Sequence, residues 1–200
     1  MRTIGLTGIF GSGKSSVAKI FKGLGIPVVS CDKIARAVLI EEPVKESLRK
    51  EFGSEIFFSN GRVDRSQLAR ISFANPHATQ RLNEIVHPRV FELLRQALDN
   101  FSDTDKIVVV EIPLLFETRS EHLFDIIITV TAPLEIIKRR LSSKFSEDDI
   151  TRRWQAQIPL DEKTPFSDFI IDNGISRLHT RTQVQTIVRG LIHGRRNETD

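Results

Sequence analysis

Residues 4–21, "IGLTGIFGSGKSSVAKIF", decide how the chain folds. The run begins inside "RTIGLT", which is apolar and β-branched, as a buried strand requires. It ends with Val17, Ile20 and Phe21, which share one helical face with Leu24. The spacing predicts a helix from about Lys14 to Leu24, with Gly25 as its C-terminal stop. Between strand and helix lies Gly8-Ile9-Phe10-Gly11-Ser12-Gly13-Lys14-Ser15, which satisfies G-x-x-x-x-G-K-[ST]. Flanked in this way, the motif is a phosphate-binding loop. Its successive N–H groups form an anion-sized concavity, and the helix N-terminus adds partial positive charge. The expected nucleotide contacts are Gly11, Ser12, Gly13, Lys14, Ser15 and Ser16. Lys14 is expected on the β- and γ-phosphates, and the Ser15 hydroxyl on Mg²⁺.

The rest of the chain sets the context. Two hundred residues suit one domain with an insertion. A chain 40% hydrophobic and 28% charged is ordinary for a globular protein. Runs such as "IVVV" and "DIIITV" are too short to span a bilayer, and no secretory signal is evident. The net charge of +3 suits an anionic small molecule. The basic residues are scattered and tyrosine is absent, so nucleic acid is not the expected partner. The single cysteine, Cys31, excludes an internal disulfide and fits a reducing, cytoplasmic setting. Cys31 itself reads as a small residue at a strand end.

Strand-like and helix-like segments alternate. "IPVVS", "KIVVVEI" and "FDIIITVT" read as buried strands, and "FII" at Phe169 as a weaker fifth. The alternation implies parallel βαβ units with helices on both faces. Between Asp32 and about Phe101 the pattern turns helical. "SNGR" is a turn, and Asp64 with Gln67 resembles a capping pair opening "RSQLARISFA". Asn75-Pro76 is expected to end that helix, and Pro88 to kink or divide the next.

Three further places invite chemistry. Asp32, just past the second strand, suits either a proton acceptor or a helix N-cap. Glu111 ends the third strand, where a carboxylate can hold Mg²⁺ through water or cap a neighbouring backbone. The segment "PLEIIKRRLSSKFSEDDITRRWQAQI" starts with Pro133 at an expected helix N1 position and is rich in bases. Its arginines can neutralise phosphate charge, or they can form a solvated face balanced by Glu147, Asp148 and Asp149. The five histidines show no metal-ligand spacing.

Several stretches together resemble one family, the dephospho-coenzyme A kinases. They are the opening run, "VVSCDKIAR", "NGRVDRSQL", "LNEIVHPRV", "EIPLLFE", "VTAPLEIIKRRL", "QAQI" and "DFIIDNG". The resemblance implies a five-stranded parallel P-loop kinase core, similar to the nucleoside monophosphate kinases. The core would occupy about 1–31 and 102–200, a helical substrate-binding insertion about 32–101, and a helical lid about 139–160. It implies transfer of the ATP γ-phosphate to the ribose 3′-hydroxyl of dephospho-CoA. Asp32 falls on the family's general base and Arg139 on a lid arginine. Arg65 and His87 become candidates for acceptor contacts, and Asn173 with the Asp172 loop for adenine. Three departures stand out, one being Ser30, where the family carries an aspartate two places before Asp32 that would give a second carboxylate toward Mg²⁺. Ile9 occupies a position where the family carries glycine. Ser142, Ser143 and Lys144 occupy the place of a second lid arginine, which implies a weaker phosphate clamp. A kinase for another small phosphate acceptor, such as a nucleoside monophosphate, shares the loop but not "VHPRV" and "PLLFE". A nucleotide-dependent switch would need an effector surface, and the sequence offers no separate domain for one.

Overall fold

The computed structural model describes residues 1–72, 74–101, 107–155 and 157–193. The chain packs as two compact units, Met1–Ser30 with Ser102–Asp200, and Cys31–Phe101. Among the described residues, no helix is long and apolar enough to cross a membrane.

The first unit is built on five parallel strands, β1 (Arg2–Gly8), β2 (Val28–Ser30), β3 (Ile107–Glu111), β4 (Ile126–Thr131) and β5 (Phe169–Asp172). Their order is β2-β3-β1-β4-β5, so β1 is central. The strands run the same way, but the connections build outward from β1 to both sides, and in open sheets such a switch point collects ligands at the carboxyl ends of the strands. The phosphate loop leaves β1 at that end. Ile107 to Val110 are all buried, as in a strand covered on both faces. One face packs α1 (Lys14–Gly23) and α9 (Arg177–His193) through Ile4, Leu6, Val17, Phe21, Ile128, Ile171 and Val184. Each fully buried aliphatic side chain there contributes about 2 kcal/mol.

Two further helices, α6 (Leu134–Leu141) and α7 (Glu147–Gln155), carry the basic segment, with Pro133 as the N-cap of α6 rather than its first residue. A short α8 (Leu160–Lys163) returns the chain toward β5. Lys163 is fully buried, and its Nζ donates to Glu117 Oε1 at 2.7 Å. The same oxygen accepts from the Ile158 N–H at 3.3 Å. The "PLLFE" stretch is thus largely packing: Leu115 and Phe116 are buried, and Glu117 clasps the segment that follows α7.

The second unit is helical. It contains α2 (Cys31–Val38), α3 (Glu42–Phe52), α4 (Arg65–Ser72) and the long α5 (Pro76–Asp99). Val38, Val44, Leu48, Phe52, Ile56, Leu68, Val86 and Val90 form its core. Cys31 is the buried first residue of α2, one place beyond the strand end expected for it. The "SNGR" turn closes an isolated antiparallel bridge between Phe57 and Val63.

Three local expectations change. Asp64 caps α4 by accepting from the Ser66 and Gln67 N–H groups, but the Gln67 side chain accepts from Arg70 instead of returning the bond. Residue 73, inside the expected helix, lies outside the described residues. Asn75-Pro76 opens α5 rather than ending α4: Asn75 Oδ1 accepts from the Ala78 N–H at 2.8 Å, and Pro76 takes the first turn, where no N–H is needed. Pro88 sits inside α5 without dividing it. Val86 and Val90, four residues apart on either side, anchor both halves in the core, and that burial outweighs one lost helical hydrogen bond.

Lys163→Met leaves the Glu117 carboxylate without its buried cation. The variant is expected to lose about 3 kcal/mol of unfolding free energy, and adding Glu117→Gln to recover part of it. Urea unfolding of the two variants tests this, and an unchanged midpoint for the single variant contradicts it.

Candidate active site

A turn that must present backbone N–H groups to an anion needs residues that tolerate positive φ. Gly13, the N-cap of α1, has φ 90° and ψ 32°. A Cβ there would also collide with the Asn173 amide nitrogen. Gly11 has φ 77°, and a Cβ on it would meet Ile137 Cγ2 at 2.5 Å, so its bareness lets α6 lie against the loop. The carbonyl of Gly13 already accepts from Ser16 and Val17, which starts the helix. The N–H groups of the first helical turn have no carbonyl one turn back and remain available to an anion.

Lys14 folds over this turn. Its Nζ donates to the Gly8 carbonyl at 3.0 Å and lies 3.5 Å from that of Ile9. Ser15 Oγ donates to Glu111 Oε1 at 2.6 Å. The parallel register places Glu111 beside Leu6, at the carboxyl end of β3, and so brings a carboxylate to the first turn of α1. A hydroxyl and a carboxylate converging at a phosphate loop are hard oxygen donors of the kind Mg²⁺ takes. Among the described residues, no group of three or more His, Cys, Asp or Glu side chains could hold a metal ion. A phosphate-loop site does not need one, because phosphate oxygens complete the coordination.

Helices α6 and α7 meet the loop through side chains. Ile9 is 2% exposed and joins Ala132, Ile137 and Ile150 in an apolar cluster, with Leu141, Phe145 and Trp154 packed on it. Phe10 stands edge-on to Phe145, with ring centroids 5.6 Å apart. The Arg153 guanidinium lies over both rings, 5.4 Å from Phe10 and 4.9 Å from Phe145. The Phe10 N–H donates to Gln157 Oε1 at 2.5 Å. The Arg140 Nη2 donates to the Asn173 carbonyl at 2.7 Å, and the Asn173 amide donates to the Ser12 carbonyl at 2.7 Å.

The expected site residues fall into groups. Gly11, Ser12, Gly13, Lys14, Ser15 and Ser16 come together in the loop and the first turn of α1. Arg139 is exposed and lines a cavity of about 600 Å³ with Glu135, Lys138, Ser142 and Glu147, while its neighbour Arg140 reaches the loop. Lys138 is held by Glu147 at 2.5 Å and Arg152 by Asp149 at 2.8 Å, so part of the basic segment is balanced by acids. Asn173 is 8% exposed and its amide is committed within the protein, which argues against a role on adenine.

In the helical unit, Asp32 is an exposed residue in the first turn of α2, two places beyond the end of β2. Arg65 is exposed at the start of α4. His87 stands edge-on to Phe91 and lines an open groove of about 710 Å³ along α5 with Pro76, Gln80, Asn83 and Pro88. Burial pushes its imidazole below the usual 6.5, favouring the neutral ring. Of the two readings open to Glu111 in the sequence, the contact with Ser15 fits the one toward Mg²⁺, whereas nothing in the sequence distinguishes Arg140, Arg153 or Gln157 from their neighbours. The sequence signals are the strand-end position of Glu111 and the run of bases that contains Arg140 and Arg153.

A family model described as CoaE, dephospho-CoA kinase, matches residues 2–177. A dephospho-CoA kinase of Aquifex aeolicus is 36% identical over 193 residues, covering 96% of this chain and 98% of the relative. The crystal structure of TT1252 from Thermus thermophilus superposes with a TM-score of 0.84 at 34% identity, covering 94% of this chain and 95% of that one. A dephospho-CoA kinase from Campylobacter jejuni superposes with a TM-score of 0.71 at 27% identity, covering 96% and 98%.

The depressed His87 makes a pH prediction. The unfolded chain takes up a proton near pH 6.5 that the folded chain resists, so the neutral ring's contribution is complete above 6.5 and is lost as pH falls toward the lower folded value. Between pH 7 and 5 the protein should lose more stability than its His87→Gln variant. Parallel urea midpoints for the two across that range contradict the assignment.

Proposed function

The chain belongs to the dephospho-CoA kinase family, and from that membership we propose that it transfers the ATP γ-phosphate to the ribose 3′-hydroxyl of dephospho-CoA. The products are coenzyme A and ADP, the last step of coenzyme A synthesis. One observation carries the reading: a phosphate loop with Ser15 on Glu111, set in a chain that matches this family from residue 2 to residue 177. The single cysteine agrees with a cytoplasmic location.

Each residue then has a role. Lys14 exchanges the Gly8 carbonyl for the β- and γ-phosphates. Ser15 and Glu111 would hold Mg²⁺, which would neutralise charge on the phosphate oxygens. Asp32 accepts the proton of the 3′-hydroxyl as that oxygen bonds to the γ-phosphorus. The bond to the β-phosphate oxygen breaks, and its electron pair leaves with ADP. Arg65 and His87 contact the acceptor, and residues 32–101 hold its adenosine and pantetheine parts. The end of α6 together with α7, within about 139–160, forms the lid. Its phosphate cation was expected to be Arg139, but the bond to Asn173 beside the loop favours Arg140. That planar fork makes the missing second arginine of the segment less costly than the sequence alone implies.

With Mg-ATP the protein should form ADP only when dephospho-CoA is present. Equal turnover without acceptor would point to a switch NTPase, and turnover with a nucleoside monophosphate in its place to another kinase. Asp32→Asn should retain ATP binding and lose transfer by roughly 10²- to 10⁴-fold. Full activity in that variant removes Asp32 as the base.

The lid assignment is tested separately at saturating substrates. Arg140→Ala should lower kcat by roughly 10²-fold, and Arg139→Ala by much less. The reverse ranking restores Arg139 as the phosphate cation.

A further inference from the structure

Asn173 follows β5 directly and uses all four of its polar groups. Its N–H donates to the Thr131 carbonyl at 2.8 Å, at the end of β4. Its carbonyl accepts from Arg140 at 2.7 Å. Its Nδ2 donates to the Ser12 carbonyl at 2.7 Å, and its Oδ1 accepts from Thr180 Oγ1 on α9 at 3.0 Å. The direction of the amide is settled chemically: a carbonyl only accepts, so the group facing Ser12 must be the NH₂.

The peptide held in this way joins Ser12 to Gly13. In a trans peptide the C=O and N–H point in opposite directions. With Ser12 O tethered to Asn173, the Gly13 N–H is aimed away from Asn173. Glycine at position 13 tolerates either orientation of this peptide, so the loop cannot choose one by its own sterics. A flipped peptide would turn a carbonyl oxygen toward an incoming phosphate and withdraw a donor. The same close approach requires glycine at position 13, where a Cβ would strike the Asn173 amide.

We infer that Asn173 is a positioning residue for the phosphate loop. Its side-chain amide locks the Ser12–Gly13 peptide in the anion-binding orientation, and its main-chain carbonyl seats the Arg140 guanidinium beside the same turn. This inference rests on the reading of the loop as a nucleotide site. The ligand class is the polyphosphate of a nucleoside di- or triphosphate.

Asn173→Asp separates this role from packing. It preserves shape, both main-chain bonds and the acceptor for Thr180, but sets a carboxylate oxygen against the Ser12 carbonyl. Mg-ADP binding, measured by titration calorimetry without any acceptor, should weaken roughly tenfold or more. The KM for ATP should rise to a similar extent, with kcat moved far less because Arg140 keeps its seat. The melting temperature of the free protein should fall by a few degrees at most. Asn173→Ser, neutral and too short to reach Ser12, should reproduce the weakening and covers the case in which the aspartate does not fold. Wild-type affinity for Mg-ADP in either folded variant overturns the inference, as does failure of both to fold, which would make Asn173 a fold determinant. Lack of Mg-ADP binding by the unaltered protein would instead overturn the nucleotide reading. Lack of turnover with dephospho-CoA alone would leave this test standing.

Discussion

A loop that binds an anion through its backbone must keep the N–H groups that face the anion unpaired and its concave side free of side chains. Gly8, Gly11 and Gly13 meet that demand, and they also remove the side chains with which a turn normally holds its own shape. The shape is therefore imposed from outside. Asn173 holds the Ser12 carbonyl, Gln157 holds the Phe10 N–H, and Glu111 holds the Ser15 hydroxyl. These supports come from residues far apart in the chain, gathered by the parallel register of β3, β1, β4 and β5. The sheet serves the site by placing its strand ends in one row.

The same constraint gives Ile9 a physical role. A branched side chain restricts the loop backbone, which would be a cost if the loop stood alone. Here Ile9 is buried among Ala132, Ile137 and Ile150, and Phe10 packs against Phe145 beneath Arg153. The two non-glycine residues between Gly8 and Gly11 point away from the anion-binding role and into the apolar side of α6 and α7. Burial of that kind, about 2 kcal/mol per large side chain, ties helices rich in cations to the loop without using any of its N–H groups.

What the sequence made legible and what it hid follow from range. The strand–glycine–helix run, the alternation of strands and the helical stretch after Asp32 are local patterns found as read, except that β2, expected to be buried, lies at the sheet edge and is only half-buried. Pro88 was misleading because a proline's local cost was outweighed by the burial of Val86 and Val90 on either side. Asn75-Pro76 signals a boundary, but which helix it serves depends on the cap that Asn75 makes. Arg139 and Arg140 are adjacent, and only the packing of α6 against Gly11 decides which one reaches Asn173. Glu111 and Asn173 acquire meaning from pairing across the sheet, and a lone carboxylate or amide at a strand end carries no such signal.

The cluster around Ile9 has one more property. The chain contains one tryptophan and no tyrosine, and that tryptophan, Trp154 on α7, packs against this cluster. Light emitted on excitation near 295 nm therefore originates from a single indole beside the phosphate loop. The wavelength and intensity of that emission follow the polarity around one ring. The protein thus carries a built-in optical probe of how α7 lies on the loop, with no dye attached and no second fluorophore to subtract.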